Sequence, residues 1–220
     1  MSLLAYCTLE ADAQVEIPTL GVQSEPIVSH QEAKLRCLVS RFSLPTVAGQ
    51  MAVRESALTF NRVLQALLEQ AAIIPFRFPT IVADAQDISA YLRENDGTLS
   101  SDLARFRTMV QMEVLIQIET GVDAHQLQSG KNYLRAKQAQ FGKMETVLSD
   151  LRNTLAPYTK EWRIRESVDR ARGYVLVNRD AIHDFRQATK AIVLPDRVAV
   201  RITGPWPVSE FLASHEGVHE

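Results

Sequence analysis

Apolar positions along the chain switch between two periods, and each switch marks a predicted element. Leu3 to Leu9 is a short continuous apolar run suited to a buried strand. Ala33 to Phe42 is a second strand, with Leu35, Cys37, Val39 and Arg41 alternating against Arg36, Leu38 and Ser40. Pro18, Gly21 and Pro26 punctuate the stretch between them, which predicts turns and at most short edge strands, since proline cannot donate to a ladder. From Val47 to Ala72 the period lengthens. Phe60, Val63, Leu64, Leu67, Leu68 and Ala71 fall on one helical stripe, which predicts a long amphipathic helix. Pro75 and Pro79 forbid its continuation, so Ile74 to Val82 reads as an irregular strand near an edge. Asp84 is placed to cap a short helix whose apolar face is Ile88, Tyr91 and Leu92. Asn95, Asp96 and Gly97 read as its end, with a further helix from Ser100 to Arg107 burying Leu103 and Phe106.

The second half alternates more cleanly. Val110, Met112, Val114, Ile116 and Ile118 alternate with Gln111, Glu113, Leu115 and Gln117, a strand with one buried face. A helix over Ser129 to Leu155 carries Leu134, Phe141, Met144, Leu148, Leu151 and Leu155 on one stripe and stops before Pro157. Strands at Trp162 to Ser167 and Tyr174 to Asn178 follow, the latter apolar on both faces and therefore central. Asp180 starts another helix with Ile182, Phe185 and Thr189 inward. Pro195 to Arg197 then turns the chain into a last strand with Val198, Val200 and Ile202 alternating. From Val110 the order is β-α-β-β-α-β, that of a ferredoxin-like split βαβ sandwich. The fold class expected is α+β in two domains: a smaller α+β domain over residues 1–107, and a ferredoxin-like domain with a polar tail over residues 108–220.

Composition narrows the function. The chain has 220 residues of which 46% are hydrophobic, enough to bury two modest cores. A net charge of −2 and a pI near 6.2 provide no basic footprint, so nucleic acid is not an expected partner. No window supplies the roughly 18 consecutive apolar residues of a membrane span. Met1 to Glu10 lack the pattern of a secretory signal, so a cytoplasmic location is expected. Cys7 and Cys37 sit inside strand-like runs and read as buried thiols, not a metal knuckle. His30, His125, His183, His215 and His219 are scattered, with the last two in the polar tail. The chain has no glycine-rich phosphate cradle, nucleophile elbow or zinc-protease motif, and Asp84 and Asp87 are accounted for as helix-start residues. No catalytic residue, cofactor or metal is expected. Arg163, Arg165, Arg170 and Arg172 concentrate positive charge around the hairpin between the two middle strands. They read either as a solvated hairpin or as a surface for an acidic or polar patch on a partner.

Two segments remain unexplained by element patterning. Arg77, Phe78, Pro79 and Thr80 place an arginine among aromatics and prolines, and Gly204, Pro205, Trp206 and Pro207 close the last strand rigidly. At these residues the sequence resembles the GvpF/GvpL family of gas vesicle proteins. Val200 to Phe211, VRITGPWPVSEF, is similar to the family's C-terminal signature, and Ile74 to Asp84, IPFRFPTIVAD, to its mid-chain pattern. Gly173 to Thr189 resembles its strand leading into a helix, and Ser129 to Lys137 the start of its long helix. Val208, Ser209 and Glu210 depart from the proline and tyrosine that the family often carries after the turn. The resemblance covers Val47 to Leu212. It implies a two-domain, non-enzymatic accessory or minor component of the gas vesicle that supports vesicle assembly. Its implied partners are the hydrophobic shell protein GvpA and other gas vesicle accessory proteins, and it implies a place at the gas-facing inner surface. The expected contact residues are Arg77, Phe78, Pro79, Thr80, Gly204, Pro205, Trp206 and Pro207. The competing reading is a ferredoxin-like ligand-binding regulatory module, since one fold hosts many functions. A deep cleft with convergent polar groups would favour it, whereas an apolar groove or open strand edge would favour a protein partner.

Overall fold

The computed structural model describes residues 2–43, 50–118, 130–166 and 170–212. They form a mixed α+β chain that divides into two compact units, Met1–Thr108 joined by the segment from Trp206 onward, and Met109–Pro205. The sequence boundary at residue 107 falls beside this division. The final segment does not follow the expected grouping, because from Trp206 the chain belongs with the first unit.

In the first unit, β1 (Ser2–Glu10) pairs antiparallel with β3 (Leu35–Phe42), and β3 with the edge strand β2 (Val28–Glu32). The predicted strand Ile74 to Val82 is two pieces, β4 (Ile74–Pro75) and β5 (Ile81–Val82), both paired with β1. Both faces of this sheet are covered, which is why β1 and β3 lack clean alternation. Tyr6 of β1 stacks on Phe60 of α1 (Gln50–Leu68) with ring centroids 5.1 Å apart. A second core joins Ala5, Leu35, Cys37 and Val39 of the sheet to Ile88 and Leu92 of α2 (Ala85–Glu94) and to Leu99 and Leu103 of α3 (Asp96–Arg105). Asp84 caps α2 as expected, its Oδ1 accepting from Gln86 N at 2.7 Å and Asp87 N at 3.2 Å. The expected break at Asn95 to Gly97 is a single residue. Asn95 closes α2 by donating Nδ2 to Tyr91 O, and its own carbonyl accepts from Leu99 N in the first turn of α3.

The second unit runs β6 (Met109–Ile118), α4 (Gly130–Leu155), β7 (Thr159–Glu166), β8 (Arg170–Asn178), α5 (Ile182–Lys190) and β9 (Val198–Trp206, whose last residue belongs to the first unit). The sheet order is β7-β8-β6-β9, with β8 antiparallel to both β6 and β7. Val110, Met112, Val114, Ile116 and Ile118 are all buried, as their alternation predicts, and Met144, Val147, Leu148, Leu151 and Leu155 of α4 are buried with them. Leu134 and Phe141 lie outside the described side chains, and the polar tail with His215 and His219 outside the described residues. Val198, Val200 and Ile202 are only half-buried, unlike the stripe on β6. They stand on the strand at the end of the sheet order, where cover from the helices thins.

Candidate functional site

The Arg77 segment gains its shape from a mismatch in the ladder. Phe76 N donates to Tyr6 O at 2.9 Å, and Ala5 N donates to Thr80 O at 3.0 Å. Tyr6 and Ala5 are consecutive, so Arg77, Phe78 and Pro79 are surplus to the pairing and loop out of it. Thr80 Oγ1 closes the loop by donating to Arg77 O at 2.7 Å. Phe78 turns back toward the core, 5.3 Å from the Phe60 ring, while Arg77 and Pro79 are exposed. Two of the four expected contact residues therefore hold the loop and two present themselves to solvent.

The Gly204 to Pro207 segment is divided between the units. Gly204, at φ 116°, adopts a conformation that disfavours any side chain, and its carbonyl accepts from Arg186 Nη2 at 2.6 Å. Gly204 and Pro205 group with the second unit, Trp206 and Pro207 with the first. Trp206 is half-buried, Pro207 and Val208 are buried, Phe211 is fully buried, and Leu212 packs on the Ala5–Leu35 core. This segment anchors the end of the chain. The structure supports the two expected segments through different elements, β1 with α1 for one and α5 for the carbonyl of Gly204.

Sequence reasoning missed a groove in the second unit. It has a volume of about 410 Å³ and is lined by Leu151, Ile192, Leu194, Val200 and Ile202, with Arg186 and Lys190 contributing cations. Beside it Val193 is 93% exposed. The signal available was the triplet Ile192-Val193-Leu194, three apolar residues after a helix end that no strand pattern requires. Thr189 adds a hydroxyl to the lining, and the other five side chains are aliphatic.

The arginines noted in the sequence lie on the other side of the same sheet. Register places Arg163 beside Tyr174 and Glu113, then Arg165 beside Arg172 and Leu115, then Arg170 beside Gln117. Thr203 Oγ1 donates to Glu113 Oε2 at 3.3 Å, which puts Thr203, and Arg201 two residues earlier, on this face. Arg172 Nε pairs with Glu113 Oε1 at 3.0 Å, Arg163 Nε with Glu161 Oε1 at 3.2 Å, and the Arg165 guanidinium lies over the Tyr174 ring. Among the described residues, no group of three or more histidine, cysteine or acidic side chains is placed to hold a metal ion, and no helix is long and apolar enough to cross a membrane. Cys7 and Cys37 are free and fully buried; burial pushes the Cys37 thiol up to about 12 and the Cys7 thiol well above its ordinary range.

Comparison with known proteins gives this architecture a lineage. No curated protein sequence matches the chain. Solved structures share its fold. The crystal structure of the gas vesicle protein GvpF from Anabaena sp. PCC7120 superposes with a TM-score of 0.81 at 15% identity, covering 100% of this chain and 99% of that one. GvpF from Microcystis aeruginosa does so at 0.72 and 14% identity, covering 91% and 94%. The sequence profile of the family described as gas vesicle synthesis protein GvpL/GvpF matches residues 2–213. With nearly its whole length matched, the chain belongs to the GvpL/GvpF family of gas vesicle synthesis proteins.

Proposed function

We propose that this chain is an assembly factor and minor component of the gas vesicle that binds the hydrophobic shell protein GvpA in the cytoplasm and remains at the gas-facing inner surface. The observation that carries this reading is the open apolar groove of Leu151, Ile192, Leu194, Val200 and Ile202, next to the exposed Val193, in a member of a gas vesicle family. A shell subunit with a gas-facing apolar surface aggregates in water unless that surface is covered, and a groove lined by side chains of this kind covers it transiently. The exposed Arg77 and Pro79 form a second point of contact, held in place by Phe78 and Thr80. Gly204, Pro205, Trp206 and Pro207 contribute by fixing the segment that follows β9. We read the second unit as a ferredoxin-like module from its β-α-β-β-α-β order and its strand order β7-β8-β6-β9. The chemistry is recognition alone, with no catalytic step.

The test is co-expression with GvpA, scoring soluble complex by pull-down and vesicles by buoyancy. The wild-type chain retains GvpA in solution. Val193→Glu and Val200→Lys, which put charge at the groove, lower the yield of complex while circular dichroism stays unchanged, and Arg77→Ala lowers it less. Failure of the wild-type chain to bind GvpA in detergent-free conditions overturns the assignment.

A further inference from the structure

The arginine-bearing face of the second unit's sheet has a use that the apolar groove does not explain. Val200 and Ile202 line the groove with Leu151 of α4, so the opposite face, carrying Thr203 and Glu113, is the one turned away from α4. On that face the described residues place five guanidinium groups, Arg163, Arg165, Arg170, Arg172 and Arg201, together with the carboxylates of Glu113 and Glu161. The five arginines are exposed. Charge on an edge strand discourages edge-to-edge aggregation, and this accounts for Arg163 and Arg165 on β7. It does not account for Arg170 and Arg172, which stand on β8 between two paired strands.

The spacing is regular. Arg163 and Arg165, like Arg170 and Arg172, are two residues apart along a strand, about 6.6–6.8 Å. That is also the separation of alternate side chains in an extended peptide. β7 ends the strand order, so among the described strands its outer edge has no neighbour. A segment added there places every second side chain directly across from Arg163 and Arg165, within the reach of cross-strand pairs, and inside the field of Arg170 and Arg172 one strand further on.

We propose that β7 and this arginine face receive an extended acidic segment of a partner protein, added as a fifth strand with carboxylates at alternate positions facing Arg163 and Arg165. A nucleic acid fits less well. The one ring that register places among these arginines, Tyr174, is 8% exposed beneath Arg165, and so offers no platform for stacking a base.

Fluorescence anisotropy on the full chain decides it. The probes are a short labelled peptide with glutamate at alternate positions between valines and threonines, a peptide of the same composition with the glutamates in one block, and a single-stranded oligonucleotide. The alternating peptide is expected to bind at least about tenfold more tightly than the blocked one. Arg163→Glu with Arg165→Glu is expected to weaken it by at least about tenfold. Arg163→Gln with Arg165→Gln gives a smaller loss in the same direction, and serves should the charge-reversed chain fail to fold by circular dichroism. No binding, equal binding of the two peptides, tighter binding of the oligonucleotide, or binding indifferent to both double variants overturns the proposal. None of these outcomes bears on GvpA binding at the groove.

Discussion

Tyr6 ties three elements of the first unit together. Its hydroxyl shares a hydrogen bond with Ser40 Oγ at 3.0 Å and accepts from Val22 N at 2.8 Å, and its ring stacks on Phe60. Gly21 lies so close that a Cβ there would sit 2.2 Å from the hydroxyl oxygen. Tyr6→Phe removes the acceptor that Val22 N uses in a buried site, and is expected to cost about 1–3 kcal/mol in urea unfolding. Burial raises the Tyr6 and Tyr91 hydroxyls and both thiols, with Cys37 at about 12. A folded-state value above the unfolded one means the unfolded chain gives up its proton first. This stabilisation is therefore complete below about pH 8.5 and is lost as pH rises toward the folded-state values. Urea midpoints should fall between about pH 8 and pH 11, and fall less in Cys37→Ala. A midpoint independent of pH over that span would show that these groups ionise as freely in the folded state as in the unfolded chain. The sequence made the burial of both cysteines legible, because each sits inside an apolar run. It gave no sign of the Tyr6 network, whose partners are 16 and 34 residues away.

Elements were legible where one local rule decided them. Asp84 caps α2, and the alternation from Val110 to Ile118 gives β6 its buried face, because cap chemistry and strand period act within a few residues. Asp84→Ala should cost about 1 kcal/mol of stability, and Asp84→Asn, which retains an acceptor, much less; equal losses would mean the charge matters and the cap does not. Long-range or shared contacts decided the rest. Ile74 to Val82 looks like one strand with two prolines, yet only its ends pair with β1, and the surplus Arg77, Phe78 and Pro79 could be known only once Tyr6 and Ala5 were seen to be their neighbours. Asn95, Asp96 and Gly97 look like a loop, yet Asn95 serves the end of one helix and the start of the next. The groove was hidden for a related reason. Alternation in β9 predicts which side chains point inward, but not whether a helix lies over them.

At the scale of the whole molecule, the segment from Trp206 shows what a one-dimensional reading cannot assign. Val208, Phe211 and Leu212 announce a core, but apolar residues do not say which core, and continuity with β9 favours the wrong one. Phe211 is fully buried, Val208 is 4% exposed, and the segment groups with residues that lie about two hundred positions earlier. Burying those two side chains contributes about 3–6 kcal/mol, a large share of the about 5–15 kcal/mol that holds a domain folded. Val208→Ala with Phe211→Ala, made in the full chain so that β9 stays intact, should therefore loosen the first unit and spare the second. Limited proteolysis read by mass spectrometry checks this, since cleavage follows the population of the open form when opening and closing are fast. Cuts within Met1–Thr108 should rise by about a hundredfold or more, while those within Met109–Pro205 stay near their wild-type rate. The reverse pattern would return the segment to the second unit. If the predicted pattern holds, the Gly204 to Pro207 turn is the point where the chain leaves one core for the other, and mutations there should impair vesicle formation through folding of the first unit before any loss of contact with a partner.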